Sequence, residues 1–188
     1  NAVQNGAEVA FDARVTSLER VRGGYVIGLA DGGRVCARAV VNAAGVHSAE
    51  LHNLVCARKL QITPVRGDYL LYDPTLGPTF SRTIFQVPTT VGKGVLVSPT
   101  VHGNLFVGPS AEPQADADSV ATSRRGLTAI LEGARRTWPQ ASSRGVITNF
   151  AGVRAKGAGH DFVIGEPDDA PGFFDVACLE SPGLTSAP

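Results

Sequence analysis

The sequence predicts a mixed α/β and α+β chain, built mainly from short strands with one clear amphipathic helix. Three observations lead there. Short apolar or alternating runs recur between glycine, proline and Asp-Gly breaks, which is the pattern of strands joined by tight turns. Between Ala121 and Trp138, Leu127, Ile130, Leu131 and Ala134 fall at helical spacing. The apolar run Ala39 to Val41 breaks at Asn42 into Ala43, Ala44 and Gly45, side chains too small to fill a core.

In chain order, Glu8–Phe11 and Ala13–Val21 read as strands, "RGG" as a turn, and "YVIGLA" (Tyr25–Ala30) as a further strand. "DGG" (Asp31–Gly33) is a hairpin signal, because Asp-Gly supplies the positive φ angles of a two-residue turn. "RVCARAVVNAAG" then runs as one strand into a glycine-ended loop, and Ser48 is a plausible N-cap for a short helix over Ala49–Leu54. From Leu60 the stretches "LQITPVRGDYLLYD", "RTIFQVP", "GVLVSPT" and "NLFVGPS" suggest an antiparallel sheet. The amphipathic helix follows, with Arg124, Arg125, Glu132, Arg135 and Arg136 on its wet face. Strands return at "GVITNFAGVRA", "DFVIGEP" and "FFDVAC".

Composition narrows the function classes. Hydrophobic residues make up 43% and charged residues 18%, a globular balance. Acidic and basic residues number 17 each, so there is no basic footprint, and no nucleic-acid partner is expected. No apolar run approaches the roughly 20 residues that span a bilayer. The three cysteines, Cys36, Cys56 and Cys178, form no CxxC pair and read as buried structural thiols in a reducing, cytoplasmic setting. There is no methionine, and the chain opens on "NAVQNGAEVAF" and stops on "SPGLTSAP" as though it were a piece of something longer.

Few residues are candidates for chemistry. Alternation puts Phe150, Gly152 and Arg154 on one strand face. An arginine on so apolar a strand needs an anion if it is buried, and its planar fork grips a carboxylate or phosphate at two points. A substrate or cofactor anion, an internal carboxylate, or simple exposure would each account for it. Arg66 in "TPVRGDY" has Asp68 on its own face, which favours a local ion pair. None of the four histidines has metal-ligand spacing, so no metal is expected. His160, in the glycine-flanked "GAGHDF", is the one histidine considered for proton transfer. "GKGVLV" and "GAGHDF" begin GxG but lack the third glycine and a following helix, so no dinucleotide fingerprint is present. "ESPGLTSAP" could offer backbone N–H groups to an anionic ring edge.

Taken together, "VVNAAGVHSAELH", "ITPVRGDYLLYD", "IFQVPTTVGKGVLVSPTVHGNLFVGPSAE", "FAGVRAKGAGHDFVIGEP" and "GFFDVACLESPGLTSAP" resemble, in this order, the flavoproteins of the D-amino-acid-oxidase superfamily. The likeness is nearest to the branch with bacterial glycerol-3-phosphate dehydrogenases and L-2-hydroxyglutarate oxidases. The resemblance implies FAD as cofactor and two domains. Residues 1–45 would form part of a Rossmann-type FAD-binding domain with its β-meander. Residues 46–148 would form a substrate-binding domain with a mixed, largely antiparallel sheet, and residues 149–188 would return to the FAD domain. It implies that Val9 lies near the adenine, Ala43, Ala44 and Gly45 near the pyrophosphate and ribose, and Gly183, Leu184 and Thr185 at the flavin's pyrimidine edge. Arg154 would face a substrate anion above the flavin.

The family's GxGxxG turn, its ribose-binding acid and the helix after "LTSAP" are absent from these residues. The catalytic base is therefore not assigned, and these residues alone are expected to be inactive. The implied activity is hydride transfer from a small hydroxy acid or glycerol 3-phosphate to flavin, with a further electron acceptor; peripheral membrane association of the intact enzyme is compatible with it. The alternatives are amino acid or secondary amine oxidation on the same scaffold and, from another class, a non-catalytic β-rich binding module.

Overall fold

The computed structural model describes residues 1–87, 94–180 and 183. It divides into two compact units, Asn1–Ile62 with Gly157–Pro188, and Thr63–Lys156. The chain passes between these units at residues 62/63 and 156/157. The short helix after "NAAG" packs within the first unit, and the long strand through Arg154 stays in the second unit almost to its end.

The first unit opens with no strand at Glu8–Phe11: residues 7–10 are irregular and Phe11 lies in a bend. A three-stranded antiparallel meander follows, β1 (Val15–Val21), β2 (Gly24–Leu29) and β3 (Arg34–Ala37), with Asp31–Gly33 in the second turn as the sequence predicts. The expected single strand through "RVCARAVVN" is two, because β3 pairs with β2 whereas β4 (Val40–Asn42) joins a different sheet. There β4 runs parallel to β11 (Phe173–Ala177), and β10 (Val163–Gly165) is antiparallel to β11 on its other side. Helix α1 (Ser48–Val55) includes Ser48 instead of being capped by it. The unit's core joins Leu18 and Tyr25 of the meander to Cys56, Ala170 and Phe173, with Leu51 and Val55 of α1 packed against them. Phe173 is 0% exposed, and burying a side chain of that size stabilises the unit by about 1.5–3 kcal/mol. Cys56 and Cys178 are buried as expected, whereas Cys36, on the outer strand of the meander, is exposed.

The second unit is a sheet with one face covered by a helix. Its strands are β5 (Ile62–Tyr72), β6 (Leu96–Pro99), β7 (Leu105–Gly108), β8 (Glu112–Pro113) and β9 (Val146–Gly157), with β6-β7-β5-β8 in order and β9 also paired to β5. "RTIFQVP" contributes only a bridge from Ile84 to Val97. Helix α2 (Arg124–Ala134) begins where Ser123 Oγ accepts from the Gly126 N–H, a side-chain cap worth about 1 kcal/mol. Leu70 and Tyr72 alternate toward Val97, Leu105 and Val107, and Ile130 and Ala134 of α2 close this core with Trp138. Among the described residues, no helix is long and apolar enough to cross a membrane.

Candidate functional site

Two groups of residues, one in each unit, are the candidates for chemistry. In the second unit the sheet face away from the helix-covered core is aromatic and cationic. Tyr69 and Phe150 stack with ring centroids 5.2 Å apart and planes 10° from parallel, and Phe106 meets Tyr69 edge-on at 6.0 Å. Arg154 lies two strand positions past Gly152 on the Phe150 face, half-buried, with Nη2 donating to the Ser110 carbonyl at 3.2 Å. A Cβ on Gly67 would lie 3.0 Å from Pro109 Cβ and in ordinary contact, 3.9 Å, with Nη2, so the bare backbone there lets Pro109 pack closely on the strand. Burial raises the Tyr69 phenol, and the Arg154 charge partly offsets that rise. Among the described residues no carboxylate lies within ion-pair distance of Arg154, so an internal Asp or Glu partner does not account for it.

Ser110 ties this face to the far side of the sheet. Its Oγ donates to Asp68 Oδ2 at 3.1 Å and accepts from the Asp68 N–H at 2.9 Å. Asp68 is fully buried and pairs with Arg66, Nε to Oδ1, at 3.2 Å; Arg66 also donates to Glu112. Arg66 is therefore committed to internal carboxylates, as its spacing from Asp68 predicts.

In the first unit the turn after β4 is the other group. Ala43 is exposed and Ala44 half-buried, and Gly45 has φ +58° with nothing within 4 Å of where a Cβ would stand. Small side chains, a left-handed residue and open space beside the backbone fit the close approach of a dinucleotide. Val9 is 55% exposed in an irregular segment, and Gly183 is half-buried; Leu184 and Thr185 lie outside the described residues. His160 is exposed on the turn after β9 with φ +56°, and its ring has no hydrogen-bond partner among the described residues. Among the described residues no carboxylate orients it for proton transfer.

The sequence reading passed over the most tightly knit polar group in this unit. Asn42, Asp175 and His52 are all buried and joined by hydrogen bonds of 2.8 and 2.6 Å. Their visible trace is Asp175 itself, a lone charge in the apolar run "FFDVAC". A cleft of about 660 Å³ in the same unit reaches this group at His52 and Asp175, and also meets Arg58, Lys59, Glu166 and Asp169. Its charges are of both signs, and none of Val9, Ala43, Ala44 or Gly45 lines it. Among the described residues no cluster of His, Cys, Asp or Glu could hold a metal ion.

The chain is thus of mixed α/β architecture: one unit has a parallel strand pair ending in a small-residue turn, and the other a mostly antiparallel sheet bearing Arg154, which has no carboxylate partner among the described residues. The model of the FAD dependent oxidoreductase family (DAO) matches residues 1–188, and the chain belongs to that family. FAD is the family's cofactor. The chain is 44% identical over 188 residues to a glycerol 3-phosphate dehydrogenase of Caloramator mitchellensis, covering all of this chain and 39% of that protein. It is 29% identical to a glycerol 3-phosphate oxidase of Mycoplasma pneumoniae, covering 100% of this chain and 50% of that one. Among solved structures, the dithionite-reduced L-α-glycerophosphate oxidase of M. pneumoniae with FAD bound superposes with a TM-score of 0.90 at 28% identity, over 100% of this chain and 50% of that one. A glycine oxidase from Bacillus cereus shares the fold, with a TM-score of 0.79 at 19% identity over 97% of this chain and 48% of that chain. The chain thus spans half or less of the length of these relatives.

Proposed function

We propose that the protein bearing this chain oxidises a small anionic hydroxy compound at FAD, with glycerol 3-phosphate the first candidate and a 2-hydroxy acid the second. The observation that carries the proposal is Arg154: a half-buried guanidinium anchored through one nitrogen to the Ser110 carbonyl and without a carboxylate partner among the described residues. That leaves a planar, fixed charge for a phosphate or carboxylate, which is held best by two parallel N–H donors. The 44% identity to a glycerol 3-phosphate dehydrogenase supports the phosphate.

On this reading the unit Thr63–Lys156 is the substrate half and the other unit the FAD-binding half. Ala43, Ala44 and Gly45 would present backbone to the pyrophosphate and ribose, with Val9 toward the adenine and Gly183 toward the pyrimidine edge. Bound FAD supplies the acceptor for a hydride equivalent from the carbon that bears the substrate hydroxyl. Arg154 holds the substrate's anionic end, and so converts an encounter into a defined approach of that carbon. Tyr69, close enough to feel the Arg154 charge, stacks on Phe150 and gives the same face an apolar surface for the substrate's carbon chain. Electrons then pass to a further acceptor. The free thiols support a reducing, cytoplasmic setting.

Amine oxidation on the same scaffold is the second chemistry, and a non-catalytic module the third reading; a family match across residues 1–188 speaks against the module. The test is anaerobic mixing of the full-length flavoprotein with glycerol 3-phosphate, L-2-hydroxyglutarate, glycine or proline, following loss of the flavin's visible absorbance. Rapid bleaching by glycerol 3-phosphate supports the proposal. Bleaching by an amine alone would replace it.

A further inference from the structure

From the buried Asn42–Asp175–His52 chain we infer that His52 and Asp175 are positioning residues, which hold one shared proton and thereby fix the Asn42–Ser48 turn in its cofactor-facing shape. The inference rests on the proposal that this turn meets FAD.

β4 and β11 lie parallel with Asn42 opposite Asp175. Asn42 Nδ2 donates to Asp175 Oδ1 at 2.8 Å and to the Ser48 carbonyl at 2.9 Å. Both amide hydrogens are committed, and Asn42 Oδ1 is buried with no partner among the described residues. Flipping the amide would aim its oxygen at a carboxylate and a carbonyl, neither of which can donate. The bond to Ser48 spans the turn, joining the last residue of β4 to the first of α1. Whatever orients the Asn42 amide therefore sets the turn that holds Ala43, Ala44 and Gly45.

Asp175 does the orienting, and His52 holds Asp175. Asp175 Oδ2 lies 2.6 Å from His52 Nδ1, and His52 Nε2 lies 2.8 Å from the Arg58 carbonyl. A carbonyl only accepts, so Nε2 carries a hydrogen. A neutral ring with its hydrogen there would turn a lone pair on Nδ1 toward the carboxylate. The short contact needs a second proton, and the pair is an imidazolium against a carboxylate. Asp175 is 1% and His52 8% exposed, so water does not substitute for either partner. An unpaired carboxylate at that depth would be costly.

Cys56, at the end of α1, is pushed up to about 11, first by burial and then by the charge of Asp169, so it stays neutral. Lys59 donates to the carbonyls of Asn53 and Cys56, and so holds the end of the helix. Phe173 presents its ring near-perpendicular to that of His52 at 6.4 Å. Arg58, Asp169 and Cys178 share the adjoining cleft. With Oδ2 held by His52, the Asp175 carboxylate keeps Oδ1 aimed at the Asn42 amide.

The experiment uses the full-length protein and three readings: nitrogen NMR of the His52 ring, amide hydrogen exchange across Ala43–Ser48, and the Kd for FAD. Both ring nitrogens should carry a proton at neutral pH. His52→Gln and Asp175→Asn should speed exchange in the turn and weaken FAD on the order of tenfold, the effect of one lost charge-assisted contact. A singly protonated His52 overturns the inference, and this reading needs no variant to fold. Unchanged exchange in both variants also overturns it. Faster exchange at an unchanged Kd overturns it through the underlying cofactor reading, which Gly45→Asn tests separately.

Discussion

Gly45 has two separate reasons to be glycine. Its φ of +58° is a left-handed conformation that asparagine tolerates and valine does not. Any side chain would also project into the open space left beside the turn. Gly45→Asn should therefore fold with an unchanged far-UV circular dichroism spectrum and lose most of its flavin. Gly45→Val should lose flavin and also about 1–3 kcal/mol of stability to backbone strain. Full flavin content in Gly45→Asn would remove the turn from the cofactor site. The thiols divide as cleanly. Cys36 is exposed, whereas Cys56 is buried and pushed up to about 11, and Cys178 is buried and also raised. Iodoacetamide at mildly alkaline pH should modify Cys36 alone in the native protein, as counted by mass spectrometry. Labelling of Cys56 before unfolding would contradict its burial. For both buried thiols the folded state favours the neutral form. Their contribution to stability is complete below the ordinary thiol range and is lost as pH rises; for Cys56 the loss extends to about 11.

At the scale of elements, α2 carries a glycine in its first turn, where alanine would ordinarily add about 1 kcal/mol. Here a Cβ on Gly126 would overlap the Asp68 carboxylate, 1.7 Å from Oδ2. That carboxylate cannot easily yield, being held by Arg66 and Ser110. Gly126→Ala should accordingly destabilise the protein by about 1–3 kcal/mol, measured by urea denaturation, and a stabilised variant would contradict the packing described. The helix itself was legible in the sequence because Leu127, Ile130 and Ala134 repeat at its period, and the contact to Asp68 was not, because it joins residues distant in the chain. The same reason explains the break between β3 and β4. "RVCARAVVN" has uniform strand character, and only pairing with β2 on one part and β11 on the other divides it. Arg154 could be singled out from alternation alone. Asn42, Asp175 and His52 could not, since their bonds cross more than a hundred residues of chain in two cases.

At the scale of the molecule, the two units separate the proposed roles. Unit Thr63–Lys156 carries Arg154 on a sheet face, and the other unit carries the turn at Gly45 and the proton-holding pair beneath it. The changeovers between units near 62 and 157 depend on which unit α1 and the end of β9 pack into, and no local run of residues carries that information. The central claim, that Arg154 holds the anionic end of a hydroxy substrate oxidised at FAD, is tested most directly in the full-length flavoprotein. Anaerobic flavin reduction by glycerol 3-phosphate would be followed across substrate concentration in wild type and Arg154→Lys at equal flavin content. Lysine keeps the charge and loses the two-point fork, so the second-order rate of reduction should fall on the order of tenfold to a thousandfold. Identical reduction by both proteins would contradict the claim and return Arg154 to a structural role.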